Sequence, residues 1–89
     1  MRNLQIVYSR IAVKAIGNLD KDVKQRIKSG IEGLLEVPPK GDTKQMHGSN
    51  PLIYRLRIGK YRVIYEYANI DGEQVLMIKD IGSRGDIYK

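Results

Sequence analysis

Arg55, Arg57 and Arg62 stand on either side of Gly59-Lys60 within residues 51–67, PLIYRLRIGKYRVIYEY. A guanidinium stays protonated at any physiological pH and presents a planar fork of donors that matches the oxygens of a phosphate. The chemistry open to three of them on one surface is the binding of a polyanion. Whether they share a surface depends on the local fold. Apolar and polar residues alternate on both sides of Gly59-Lys60, the pattern of two strands joined by a tight turn. Glycine as the first of the two central residues suits a type II′ turn, because it takes positive φ without steric cost.

With residues 59 and 60 as the turn, Ile58 faces Tyr61, Arg57 faces Arg62, Leu56 faces Val63, Arg55 faces Ile64 and Tyr54 faces Tyr65. Tyr54, Leu56, Ile58, Tyr61, Val63 and Tyr65 then form one apolar layer fit for a core. The other face carries the three arginines at its turn end. Arg57 opposite Arg62 is a like-charge pair, which costs a sheet roughly a few tenths of a kcal/mol or more. A design for stability alone would put Glu or Thr at one of the two positions. A polyanion lying across the three guanidinium groups accounts for the choice.

The elements that must hold this hairpin follow from the rest of the chain. Residues 3–8, NLQIVY, read as a short strand. Ser9-Arg10 caps a helix carrying Ile11, Val13, Ala15, Ile16 and Leu19. Asp20 is a suitable N-cap for a second helix over residues 21–36, where Val23, Ile27, Ile31, Leu34 and Leu35 recur at helical spacing. Lys24, Arg26, Lys28 and Glu32 lie largely off that stripe, as a solvated outer face does. Gly30 and Gly33 each weaken a helix by roughly 1 kcal/mol relative to Ala, so they mark close packing. Val37-Pro38-Pro39 stops the helix, and residues 38–50, PPKGDTKQMHGSN, read as a polar loop. After the hairpin, residues 69–72 (NIDG) signal a turn and residues 73–81 a further strand. The last residues, GSRGDIYK, are too rich in glycine for regular structure. The order is β-α-α-β-β-β, an α+β fold in which a helical hairpin covers one face of a mostly antiparallel four-stranded sheet.

Length and composition bound the possibilities. Eighty-nine residues make one small domain, 1–89, with room for a single core. No cysteine is present, which excludes disulfides, zinc–thiolate sites and a cysteine nucleophile, and is compatible with a reducing cytoplasm. The start of the chain is too short of apolar residues for a signal peptide, and no run approaches membrane-spanning length. The net charge of +6 is concentrated between residues 40 and 62, where Lys40, Lys44, Arg55, Arg57, Lys60 and Arg62 face one acid, Asp42. Such a field suits a phosphate backbone or an acidic protein. His47, the one histidine, falls in the polar loop, reads as a surface or loop-packing residue rather than a catalyst, and makes no metal site alone.

Taken together, Tyr54-Arg55-Leu56-Arg57 with Tyr61-Arg62-Val63-Ile64-Tyr65, the earlier Lys44-x-Met46-x-Gly48, and the ending Ile81-Gly82-Ser83-Arg84-x-x-Ile87-Tyr88 resemble the RelE/ParE superfamily of toxin–antitoxin toxins, its RelE-like branch more than its ParE-like one. The resemblance spans the whole chain. It implies a cytoplasmic toxin that cleaves messenger RNA in the ribosomal A site, without metal or other cofactor, through attack of the ribose 2′-hydroxyl on the adjacent phosphate. It also implies a cognate antitoxin, acidic or partly disordered, that holds the toxin inactive.

Carried over by position, the resemblance assigns the catalytic work to Arg55, Arg57, Arg62, Arg84 and Tyr88, with Lys40, Lys44 and Lys60 as contacts to RNA and ribosome. Preorganised guanidiniums stabilise the charge that spreads over a phosphoryl transition state, and Tyr88 is suited to stack on a splayed base. Two positions depart from the family. Ser83 stands where many relatives have histidine, and Arg55 and Arg57 replace lysines, so no guanidinium there can serve as the base. Glu66, expected on the same face as Arg62, and Tyr88 are the candidate bases; Glu66 equally reads as a solvated residue or a partner for Lys79. Two other functions stay open: a ParE-like poison of DNA gyrase, and a catalytically weak homologue that acts only by binding.

Overall fold

A computed structural model describes residues 4–46 and 52–83. The elements are β1 (Gln5–Tyr8), α1 (Arg10–Gly17), α2 (Lys21–Gly33), β2 (Asp42–Gln45), β3 (Tyr54–Ile58), β4 (Tyr61–Ile70) and β5 (Glu73–Ser83). The fold is the expected α+β arrangement, but the sheet has five strands rather than four, in the order β1-β5-β4-β3-β2. β1 runs parallel to β5, and every other pairing is antiparallel. The added strand is β2, which lies in the stretch read as a loop. Its residues, Asp42, Thr43, Lys44 and Gln45, are all exposed, so no apolar alternation announces it. Backbone pairing with β3 alone makes it a strand.

The β3–β4 hairpin has the register expected from the sequence, from Tyr54↔Tyr65 to Ile58↔Tyr61. Gly59 has φ +60°, while Lys60 keeps the negative φ of ordinary residues, which is the type II′ combination. The next turn, Asp71-Gly72, has positive φ at both residues, 52° and 83°, as a type I′ turn requires.

The inner face of the sheet meets the two helices. Leu56, Val63, Tyr65, Leu76, Ile78 and Ile81 from the strands join Ala12, Ile16, Ile27, Ile31 and Leu34 in one buried cluster. Tyr54 stacks on Tyr65 at 5.4 Å, and Tyr67 meets both rings edge-on, so these tyrosines belong to the packing, as expected. α1 lies against β5 and β1, and α2 against β3. In α1 the buried stripe is Ala12 and Ile16 with Ala15 and Leu19 beside it. Ile11 and Val13, the other apolar residues of this helix, are 62% and 57% exposed, because at 100° per residue they fall on the flanks of that stripe. Gly30 permits the close approach inferred for it, since a Cβ there would stand 2.5 Å from Ile58 Cδ1. α2 ends at Gly33 rather than at residue 36. Leu34, Leu35 and Glu36 continue as tight turns, donating to the carbonyls of Ile31, Glu32 and Gly33.

One irregularity in β5 ties the layers together. Ile64 pairs with Asp80 and Tyr65 with Ile78, so Lys79 is an extra residue, a β-bulge. The bulge lets Ile78 and Ile81, three apart, both face the core. Ser9 is bound to it. The Ser9 N–H donates to the Ile78 carbonyl at 2.9 Å, and its hydroxyl donates to the Lys79 carbonyl at 2.6 Å. The same hydroxyl oxygen accepts the Ala12 N–H at 3.0 Å, capping α1. Asp20, by contrast, occupies the cap position of α2 without a side-chain hydrogen bond, and contributes through its charge near the helix N-terminus.

Replacing Ser9 by Ala removes the cap and the tie to the bulge together. Stability should fall by about 1–2 kcal/mol, read as a drop of several degrees in melting temperature. Ser29→Ala, which removes only an exposed bond from Gln25, should change little. A second prediction concerns Tyr8, whose hydroxyl pKa is raised above 10 by burial and, secondarily, by the negative charge of Glu32. The folded state thus favours the neutral phenol. Its contribution is fully present below the unfolded pKa of about 10 and is lost as pH rises through the higher folded value. Denaturant titrations between pH 9 and 11 should show wild-type stability falling more steeply than that of Tyr8→Phe.

Candidate nucleic-acid interface

Strand alternation sends Arg55, Arg57 and Arg62 to the outer face of the sheet, opposite the helices. Arg57 and Arg62 are direct cross-strand partners, flanked by Asp42 on β2 and by Gly82 on β5. Glycine at that position adds no side chain beside Arg62. At the turn end, Arg57, Gly59, Lys60 and Arg62 line a hollow of about 260 Å³. It is open and strongly basic, and its three cations suit an anionic group such as a phosphate.

The neighbouring row reads Lys44, Arg55, Ile64 and Asp80 across β2, β3, β4 and β5. Lys44 therefore stands beside Arg55 on the same face, a second like-charge juxtaposition. β2 also brings an acid to this surface. Asp42 Oδ1 is 3.8 Å from Arg55 Nη2, with the carboxylate 59% exposed and the arginine only 14%. A pair this long, with its carboxylate largely in solvent, contributes about 1 kcal/mol or less, too little to tie Arg55 up against a polyanion. Asp80 accepts the Ile81 N–H at 2.8 Å through Oδ1.

Glu66 shares this face, four residues along β4 from Arg62. Its Oε1 lies 3.7 Å from Lys79 Nζ, and the side chain is only 15% exposed. Oε2 is buried without a hydrogen-bond partner, an arrangement that costs about 1–3 kcal/mol. Of the readings open to Glu66, the ion pair with Lys79 is the one the geometry realises. Residues four apart on a strand are separated by about 13 Å, so Glu66 is remote from the Arg57–Arg62 pair.

The lysines divide. Lys60 lines the hollow and holds its Nζ 5.5 Å over the Tyr61 ring. Lys44 joins the arginine face. Lys40 is exposed beside the end of α2, its N–H donating to the Gly33 carbonyl at 3.0 Å and its Cβ packed against Gly33. Arg84 and Tyr88, expected to complete the site, and His47 lie outside the described residues. Among the described residues no group of His, Cys, Asp or Glu side chains is arranged to hold a metal ion, and no helix is long and apolar enough to cross a membrane. Sequence reasoning missed Asp42 and Asp80 as members of this surface. The first was hidden by the missed strand. The second was hidden by the bulge, for which the one available signal was the pair of apolar residues, Ile78 and Ile81, at odd spacing.

Comparison with known proteins supplies the frame. No curated protein matches the sequence significantly. Among solved structures, a chain of the archaeal RelE–RelB complex from Pyrococcus horikoshii is 28% identical, with TM-score 0.72 over 93% of this chain and 97% of its own. A chain of the RelB–RelE antitoxin–toxin complex from Methanococcus jannaschii is 26% identical, with TM-score 0.70 over 92% and 94%. The isolated E. coli RelE toxin shares the fold at TM-score 0.73 and 21% identity, over 96% and 88%. The model of the family described as ParE toxin of the type II toxin–antitoxin system parDE matches residues 2–88. The chain thus belongs to the ParE toxin family, within the RelE/ParE superfamily of type II toxin–antitoxin toxins.

Proposed function

We propose that this toxin is a ribosome-dependent endoribonuclease that cuts messenger RNA in the A site and so arrests translation in the cytoplasm. The observation that carries this reading is the pairing of Arg57 with Arg62 across the hairpin, beside a basic hollow on the face away from the core. A fold does not place two guanidiniums side by side for stability. Arg55 and Lys44 extend the same charge, and Arg84 and Tyr88 are assigned to the site by their place in the terminal motif. Likeness to chains solved in RelE–RelB complexes supports the reading. It also supports a cognate antitoxin as partner; the charge of +6 would attract an acidic or partly disordered chain in that role.

In this mechanism the scissile phosphate lies against Arg57 and Arg62. Their donors are already in place when the 2′-oxygen attacks and negative charge builds on the equatorial oxygens, so no reorganisation is needed at that moment. The ribosome holds the attacking hydroxyl in line with the leaving 5′-oxygen, and much of the rate comes from that positioning. The products are a 2′,3′-cyclic phosphate, or the 3′-phosphate formed from it, and a 5′-hydroxyl. Glu66, paired to Lys79 and distant from the arginine pair, acts in the architecture of the face and not as the base.

A second reading, a poison of DNA gyrase, is favoured by the ParE description of the family model. It needs no arginine cluster. Induction of the toxin should distinguish the two, because a DNA-damage response with intact messenger RNA would select the gyrase reading.

Purified chain added to programmed ribosomes should yield cuts within codons, mapped by primer extension. Arg57→Ala and Arg62→Ala should each lower the cleavage rate by about 100-fold or more without loss of folded structure by circular dichroism. Undiminished cleavage in both would exclude the proposed site. Glu66→Gln should keep growth arrest on induction, whereas arrest abolished in a folded Glu66→Gln chain would return that carboxylate to the chemistry.

A further inference from the structure

The basic surface does not stop at the edge of the sheet. α2 passes over the end of the hairpin with Gly30 above Ile58, and one turn earlier Arg26 reaches Gly59. A Cβ built on Gly59 would lie 3.0 Å from Arg26 Nη2, so the guanidinium rests on the bare backbone of the turn. Arg26 is exposed and makes no ion pair among the described residues, and neither do Arg57 or Lys60. Lys60 occupies the turn itself. It lines the hollow with Arg57 and Arg62, while its ammonium leans over the Tyr61 ring, whose side of the strand faces the helices. Cations are thereby continuous from the outer face, over the tip of the hairpin, to the helical layer.

We propose that Arg26, with Lys60, forms a second phosphate subsite, so that single-stranded RNA leaving the Arg57–Arg62 hollow wraps the hairpin tip and contacts α2. This rests on the reading that Arg57 and Arg62 hold an RNA phosphate. The path bends around a turn of two residues, a curvature that a flexible single strand follows and a stiff duplex does not. An acidic protein segment fits less well. The hollow is lined by Arg57, Gly59, Lys60 and Arg62, and Lys60 caps the nearest ring, which leaves no apolar pocket for the side-chain anchors on which peptide capture depends. Solvated helix faces rich in lysine are common, but Arg26 is set apart by its contact with the turn.

Binding of a fluorescein-labelled single-stranded RNA oligonucleotide to the purified chain, followed by anisotropy over a salt series, tests the proposal. Loss of one phosphate contact from a single strand reduces the slope of log K against log salt by about 0.7. Arg26→Gln should show that reduction and a several-fold weaker affinity at low salt. Arg26→Lys should restore the slope, and Lys14→Gln, the same charge change on α1, should leave both nearly as in wild type. Arg57→Ala controls the underlying reading and should also lose slope. If Arg57→Ala weakens binding while Arg26→Gln matches wild type or Lys14→Gln, the subsite is overturned and the first site stands. If neither variant changes the slope, both fail. If Arg26→Gln weakens the complex with the antitoxin but not with RNA, the surface belongs to an acidic protein and the proposal is wrong.

Discussion

The two-residue turn at Gly59-Lys60 sets the register on which the rest of the molecule depends. A hairpin shifted by one residue would turn every side chain to the opposite face. Leu56 and Val63 would leave the core, and Arg57 and Arg62 would enter it. Burying two unpaired guanidiniums costs far more than the core could return, so the correct register is strongly selected. The same alternation that places the apolar layer under the helices thus gathers the arginines outside. Core and basic face are two sides of one constraint, and the repulsion between Arg57 and Arg62 is tolerated because Leu56, Val63 and Tyr65 beneath them are fully committed to packing.

The bulge at Lys79 plays the corresponding part on the other side of β4. It re-phases β5 so that Ile78 and Ile81 both point inward, and it leaves two ionisable side chains, Lys79 and Asp80, adjacent on the outer face. Ser9 holds the bulged carbonyl and the first turn of α1 through one hydroxyl. The junction between helix and sheet and the charge pattern around Glu66 therefore share a support.

Much of this was legible in the sequence, for identifiable reasons. The hairpin was readable pair by pair, since its alternation is unbroken and its turn carries the glycine that positive φ demands. α2 was readable from its apolar stripe, although its last turns tighten before Pro38 and the regular helix stops at Gly33. β2 was not readable, because four polar residues held only by backbone bonds carry no periodic signal. Its omission concealed that Asp42 and Lys44 stand against Arg57 and Arg55. In α1 the apolar residues alone did not mark out the buried face, because Ile11 and Val13 lie beside it rather than on it. Glu66 was placed on the right face, and its partner Lys79 was among the readings open to it. Its distance from the arginine pair came only from the strand geometry.

β2 has one more consequence. It is the last strand on the basic side of the sheet, and its outward backbone groups offer a template to any further strand. An apolar sequence there would invite copies of the chain to zip together edge to edge. Asp42, Thr43, Lys44 and Gln45 supply charge and hydration instead, on a molecule that already repels its own kind through net positive charge. The polar composition that hides this strand from periodicity is thus also its protection against aggregation.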